Sequence, residues 1–196
     1  MSHMAGFEKY KMALLEVAKA LSDSGIDFVL VGSAVLPLVY NIDYEPGDLD
    51  IFIVNKSTIL DYELFEDIAR RHDWDIGSTD HGTIYYEMLV SGEMLKVDLL
   101  ENILDIYIPP EILEKTIRVK IDDFYIKSIK LEDLLVLKAK IATRDAEEFI
   151  AYVARLLADP KYNININKKY IKDIIDLFQE KENIIDRLNK NGIYID

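Results

Sequence analysis

Cysteine is absent from the 196 residues. Disulfide scaffolds, thiol nucleophiles and cysteine-based zinc sites are thereby excluded. Basic residues are in deficit: 23 Lys and Arg stand against 36 Asp and Glu, a formal net charge of −13. Binding along a duplex sets many cationic groups against phosphates. The expectation is therefore no extended duplex nucleic acid as a partner, with room only for a local basic cleft. Long apolar runs are missing as well, and none reaches the ~18 residues of a membrane span. No basic region followed by an apolar stretch opens the chain. The expectation is a cytoplasmic protein with no membrane partner. Glutamine occurs once, among abundant Ile, Lys and Glu. That bias leans towards a thermophilic source, and AT-rich coding produces the same pattern. There are no internal repeats, and Asn163-Ile164-Asn165-Ile166-Asn167 is too short to count as low complexity.

What remains is a globular composition, half hydrophobic and 30% charged. The length suits one domain with a small helical appendage. Met1-Ser2-His3-Met4 reads as a tag remnant (1–4). Phe7 to Ser24 carries Leu14, Leu15, Ala18 and Leu21 at helical spacing and closes at Gly25. Phe28 to Val31 is an apolar run that reads as a buried strand, ending at Gly32-Ser33. A helix to about Tyr40 is predicted from there, with Ser33 as its N-cap. Asn41 to Gly47 is a loop. Asp48 to Val54 alternates, which predicts a strand with one acidic face.

Further on, Ile59 to His72 predicts a helix. Gly82 to Val90 and Glu93 to Leu100 predict a hairpin across Ser91-Gly92. Pro109-Pro110 opens a short helix over 111–115, and 117–121 with 124–126 predicts a second hairpin. From Leu131 the pattern is helical over 131–142, 145–158, 168–179 and 181–190. The composition shift near residue 130 predicts a first domain over 5–130 and a helical C-terminal domain over 131–196.

The chemistry concentrates in Val31 to Val54. Gly32 lets backbone approach a ligand. Ser33 offers a hydroxyl beside the free N–H groups of a helix start, a place to hold phosphate. Asp48 and Asp50 stand two apart on a strand and so project from one face. Like charges so placed call for a cation, and hard oxygen ligands suit Mg²⁺ or Mn²⁺ with triphosphate oxygens completing the shell. Asp98 is the candidate third carboxylate, a lone acid between Val97 and Leu99 that is costly to bury unused. The bland alternatives are a solvated strand edge for Asp48 and Asp50, a plain helix cap for Gly32-Ser33 and a turn start for Asp98.

Gly-Ser, then Asp-Leu-Asp-Ile-Phe-Ile sixteen residues after the Gly, then a later strand Asp, resembles the nucleotidyltransferase superfamily of the DNA polymerase β type. The minimal and abortive-infection toxin-like group is the nearest in pattern. The resemblance covers roughly residues 7–142. It implies an α+β fold: a mixed twisted sheet flanked by helices, followed by a C-terminal helical bundle. It implies Asp48, Asp50 and Asp98 as catalytic and metal ligands for two Mg²⁺ (or Mn²⁺) ions with bound NTP, and Gly32 and Ser33 as phosphate binders. Leu131 to Lys138 looks like that group's helix after the catalytic domain, which makes Lys138 and Arg144 candidate nucleotide contacts. Solvated helix positions, and for Arg144 pairing with neighbouring acids, are the plainer readings of those two. The chain departs from the pattern at Glu45-Pro46-Gly47, where a basic or hydroxyl residue is usual, and at Glu147-Glu148, where a Lys-Asp pair is usual.

Two functions follow. The first is transfer of a nucleoside monophosphate from an NTP to an acceptor hydroxyl on a small molecule, a protein or an RNA end, with pyrophosphate release. The second is a non-catalytic relative that binds nucleotide or serves as a toxin–antitoxin interaction module. A structural reading adds the late helices as an interface for a partner protein or a second copy. Acceptor and base preference are not written in a short motif, because the shape of the binding groove sets both.

Overall fold

The computed structural model describes residues 3–195. Met1 and Ser2, half of the expected tag remnant, lie outside the described residues, whereas His3 and Met4 fall in the first helix. The chain divides into two compact units, 1–108 with 113–129 and 109–112 with 130–196.

The first unit is built on a seven-stranded mixed sheet. Its strands are β1 (Phe28–Val31), β2 (Leu49–Ile53), β3 (Asp75–Ser78), β4 (Ile84–Val90), β5 (Glu93–Leu100), β6 (Ile117–Ile121) and β7 (Phe124–Ser128), in the order β3-β4-β5-β2-β1-β7-β6. The pairing β2–β5 is parallel and β1–β2 is antiparallel. The β4–β5 hairpin turns at Ser91-Gly92, where both residues have positive φ (51° and 85°). Such a turn matches the twist of the flanking strands, and glycine takes up that backbone shape without strain.

Helices α1 (His3–Asp23), α2 (Val35–Tyr40) and α3 (Tyr62–Arg71) belong to this unit. Helix α1 packs on β4 and β5. Alternation along the strands sends Leu49, Ile51, Leu95, Val97, Leu99, Tyr86 and Met88 into the core. The intervening positions Asp50, Lys96, Asp98, Tyr85 and Glu87 therefore share the opposite face.

Three details differ from the sequence reading. Helix α2 begins at Val35 rather than Ser33, and its N-cap is Ala34, with no side-chain cap bond. The φ of +70° at Gly32 turns the chain first, so Ser33 lies in the turn and not at the cap. Strand β3 carries no apolar alternation and gives no sequence signal; it pairs with β4 through Gly77↔Tyr85. Third, the helix predicted over 168–179 ends at Ile175.

The second unit contains α5 (Leu131–Ile141), α6 (Arg144–Ala158), α7 (Lys168–Ile175) and α8 (Lys181–Lys190), preceded by the short α4 (Pro110–Glu114) that joins the two units in sequence. Helix α5 packs against α6, α7 and α8. Among the described residues no helix is long and apolar enough to cross a membrane.

Candidate active site

Parallel pairing of β2 with β5 places Asp50 directly beside Asp98. Neighbouring strands run ~4.8 Å apart, so two carboxylates on one rung and one face must meet. Asp48 stands one step before β2, on the same side as Asp50. One carboxylate oxygen from each of Asp48, Asp50 and Asp98 lies within 4.8 Å of the others.

Two supports fix this arrangement. The hydroxyl of Tyr10, a buried residue of α1, donates to the Pro46 carbonyl and so ties down the loop that delivers Asp48. Gly32 leaves room for Asp50: a Cβ there would sit 1.9 Å from Asp50 Oδ2. The sequence reading gave Gly32 to a ligand's close approach. In the structure the group that closes on it is the Asp50 side chain, and its φ of +70° independently disfavours any other residue.

Electrostatics mark Asp98 out. It is 9% exposed, and Oδ1 is buried without a hydrogen-bond partner. Lys96 Nζ lies 2.8 Å from that oxygen, a charge contact without the alignment of a hydrogen bond. Burial pushes the Asp98 carboxyl above the ordinary aspartate range, Lys96 pulls it back and Asp48 adds to the rise. Burial works against the Lys96 ammonium, but the Asp98 and Asp48 carboxylates outweigh it and hold its pKa up. Charges this close repel by on the order of 3 kcal/mol per pair at an effective dielectric of about 20.

The donor set fits a hard divalent cation. Oxygen ligands at about 2.0–2.6 Å from one ion lie up to about 4–5 Å apart, the span this triad shows. The orphaned Asp98 oxygen and the Cβ-free cradle at Gly32 agree with that fit.

Ser33 is buried, in the turn that follows β1. Lys138 sits on α5 with its ammonium 5.5 Å from the Phe149 ring centre. Arg144 opens α6, is exposed and pairs with Glu148 at 2.8 Å, the helix-surface pairing that its neighbours favour. Sequence reasoning missed Tyr10 and Lys96. Tyr10 gave no signal, since its partner is a backbone carbonyl. Lys96 did give one: it stands two residues before Asp98 and must share its face.

The sheet and its flanking helices define a nucleotidyltransferase fold. A family model described as a nucleotidyl transferase of unknown function, DUF2204, matches residues 10–190, and the chain belongs to that family. No curated protein matches the chain. Among solved structures, an antigenic nucleotidyltransferase-like protein from Paracoccidioides brasiliensis is similar at 15% identity and a TM-score of 0.54, over 93% of this chain and 87% of that one. JHP933 from Helicobacter pylori matches at 17% identity and a TM-score of 0.48, over 97% and 79% of the two chains. The antibiotic-resistance factor ANT(2'')-Ia matches at 13% identity and a TM-score of 0.47, over 92% and 89%.

Proposed function

We propose that this protein is a metal-dependent nucleotidyltransferase that moves a nucleoside monophosphate from an NTP to an acceptor hydroxyl and releases pyrophosphate. The observation that carries the reading is the convergence of Asp48, Asp50 and Asp98 on one sheet face, with the buried Asp98 oxygen met by the Lys96 ammonium. Family membership supports it. When bound, Mg²⁺ or Mn²⁺ would neutralise charge on the triphosphate and on the attacking and leaving oxygens.

The chain's own contribution is placement. Asp48, one step before β2, and Asp50 on it would hold the cation, with Gly32 setting the Asp50 carboxylate and Tyr10 setting the Asp48 loop. Asp98 completes the set from β5, where its carboxylate would stand beside the acceptor hydroxyl that must give up a proton. Ser33 and the adjacent turn face the triphosphate. Lys138 and Arg144 remain candidate nucleotide contacts.

The test is incubation with each α-labelled NTP, Mg²⁺ or Mn²⁺ and cell extract. The expected result is a labelled acceptor and free pyrophosphate, both lost in Asp48→Asn. Metal-dependent NTP binding without transfer from any extract would favour instead a nucleotide-binding or toxin–antitoxin interaction module.

A further inference from the structure

The face that carries the triad continues across β5 and β4. Asp98 is the rung partner of Tyr85, and Lys96 is the rung partner of Glu87. Tyr85 extends across β3, where a Cβ on Gly77 would come within 2.4 Å of its ring. Lys96 Nζ stands 4.7 Å from the centre of the same ring while it touches Asp98 Oδ1 at 2.8 Å. The lysine thus stands against the buried oxygen of the triad.

We propose that Lys96 is a built-in counter-ion of the triad, a positioning residue that must leave Asp98 for Glu87 before a divalent cation can use the full ligand set. The inference rests on the metal-site reading of Asp48, Asp50 and Asp98.

The physical argument is competition for one oxygen. Without metal, three carboxylates within 4.8 Å need positive charge, and Lys96 supplies it. A divalent cation at the same oxygen repels an ammonium a few ångströms away, so Lys96 cannot stay. Its side chain is 38% exposed on a flexible four-carbon stem, free to swing along the face. Glu87 lies directly across the rung from Lys96, on the same face of the sheet, and so offers the ammonium a second carboxylate. The consequence is a threshold. Metal alone must displace Lys96, whereas metal arriving with a triphosphate brings additional ligands that offset the displacement.

Mn²⁺ binding by calorimetry, without nucleotide, tests the proposal. Lys96→Met keeps the stem and removes the charge; Lys96→Gln is the alternative should the Met protein fail to fold. Either is expected to bind Mn²⁺ about tenfold tighter than wild type and to melt lower when metal-free. Glu87→Gln removes the landing place and is expected to weaken Mn²⁺ binding severalfold, an effect that vanishes when combined with Lys96→Met. Equal or weaker binding by the folded Lys96 variants, with wild type binding normally, overturns the counter-ion role and leaves the metal site standing. A Glu87→Gln effect that persists without Lys96 overturns the landing place. Failure of every folded protein to bind Mn²⁺ overturns the metal-site reading and this inference with it.

Discussion

Asp98 in the sheet unit and Asp133 in the helical unit are both withdrawn from water, at 9% and 0% exposure, and burial pushes both carboxyls above the ordinary aspartate range. Their surroundings differ in kind. Asp133 accepts the Lys130 backbone N–H and the Tyr170 hydroxyl, each at 2.9 Å, and closes the start of α5 against α7. Asp98 has an oxygen with no hydrogen bond, two acidic neighbours and one lysine. A buried acid with its donors in place holds a fold together. A buried acid beside two more acids, met by a single lysine, keeps a residual repulsion that a bound cation would relieve further.

The comparison breaks most visibly in activity. Asp98→Asn and Asp48→Asn are expected to abolish nucleotide transfer. Removing outer support of a metal ligand alone loses about 10–100-fold, and losing the ligand itself exceeds that. Neither change should lower the melting temperature of the metal-free protein, because each relieves carboxylate repulsion. Asp133→Asn should do the reverse, retaining activity per folded molecule while melting lower. A marked stability loss in Asp48→Asn would give Asp48 a structural role and dissolve the contrast. Ser33→Ala should only weaken triphosphate binding, since backbone N–H groups remain.

Gly32→Ala sharpens the same contrast through the backbone. A left-handed conformation disfavours alanine by about 1–2 kcal/mol, and the added Cβ would collide with Asp50 Oδ2. The expected loss is at least about 2 kcal/mol in urea unfolding, together with weaker Mn²⁺ binding as Asp50 is displaced. Stability and metal binding should therefore fall together at Gly32 and separate at Asp48.

Much of this was legible in the residues. The alternation of Leu49, Ile51 and Ile53 against Asp48 and Asp50 announced β2. Val97 and Leu99 around a lone acid announced Asp98, because an isolated charge in an apolar strand needs a reason. What sequence left open was pairing. Nothing local says that β2 runs parallel to β5 with Asp50 opposite Asp98, and that register brings the carboxylates together. Strand β3 was illegible because Gly77 serves Tyr85 of another strand rather than its own pattern. Ser33 misled because a serine before an apolar run resembles a cap, whereas the turn at Gly32 moves the helix start two residues on. The Asp133–Tyr170 bond joins residues 37 apart, beyond the reach of periodicity.

Tyr170→Phe tests the closed half of the comparison. It removes one donor from a buried carboxylate and leaves the ring in place beside Lys130, whose ammonium lies 4.2 Å from its centre. Hydrogen bonds to charged groups contribute about 1.5–3 kcal/mol, and Tyr170 is half-buried, so about 1.5 kcal/mol is expected from urea midpoints. Nucleotide transfer per folded molecule should be unchanged.

The smallest effect is in pH. Asp133 has a raised carboxyl pKa in the folded protein, through burial partly offset by the Lys130 N–H and the Tyr170 hydroxyl. The folded state therefore holds this proton more tightly than the unfolded chain does. Between the unfolded value, about 3.9, and the higher folded value, the folded protein binds more protons, so this group's contribution to stability falls as pH rises. Above the folded value the contribution is level. Other carboxylates titrate in the same range, and subtracting the Asp133→Asn curve from that of wild type isolates this one. Urea unfolding from pH 3 to 7 should show the wild-type advantage shrinking with rising pH, then flattening once the folded-state carboxyl is ionised. An advantage that grows with pH would mean that the Lys130 and Tyr170 donors outweigh burial, and Asp133 would then be a stabilised anion.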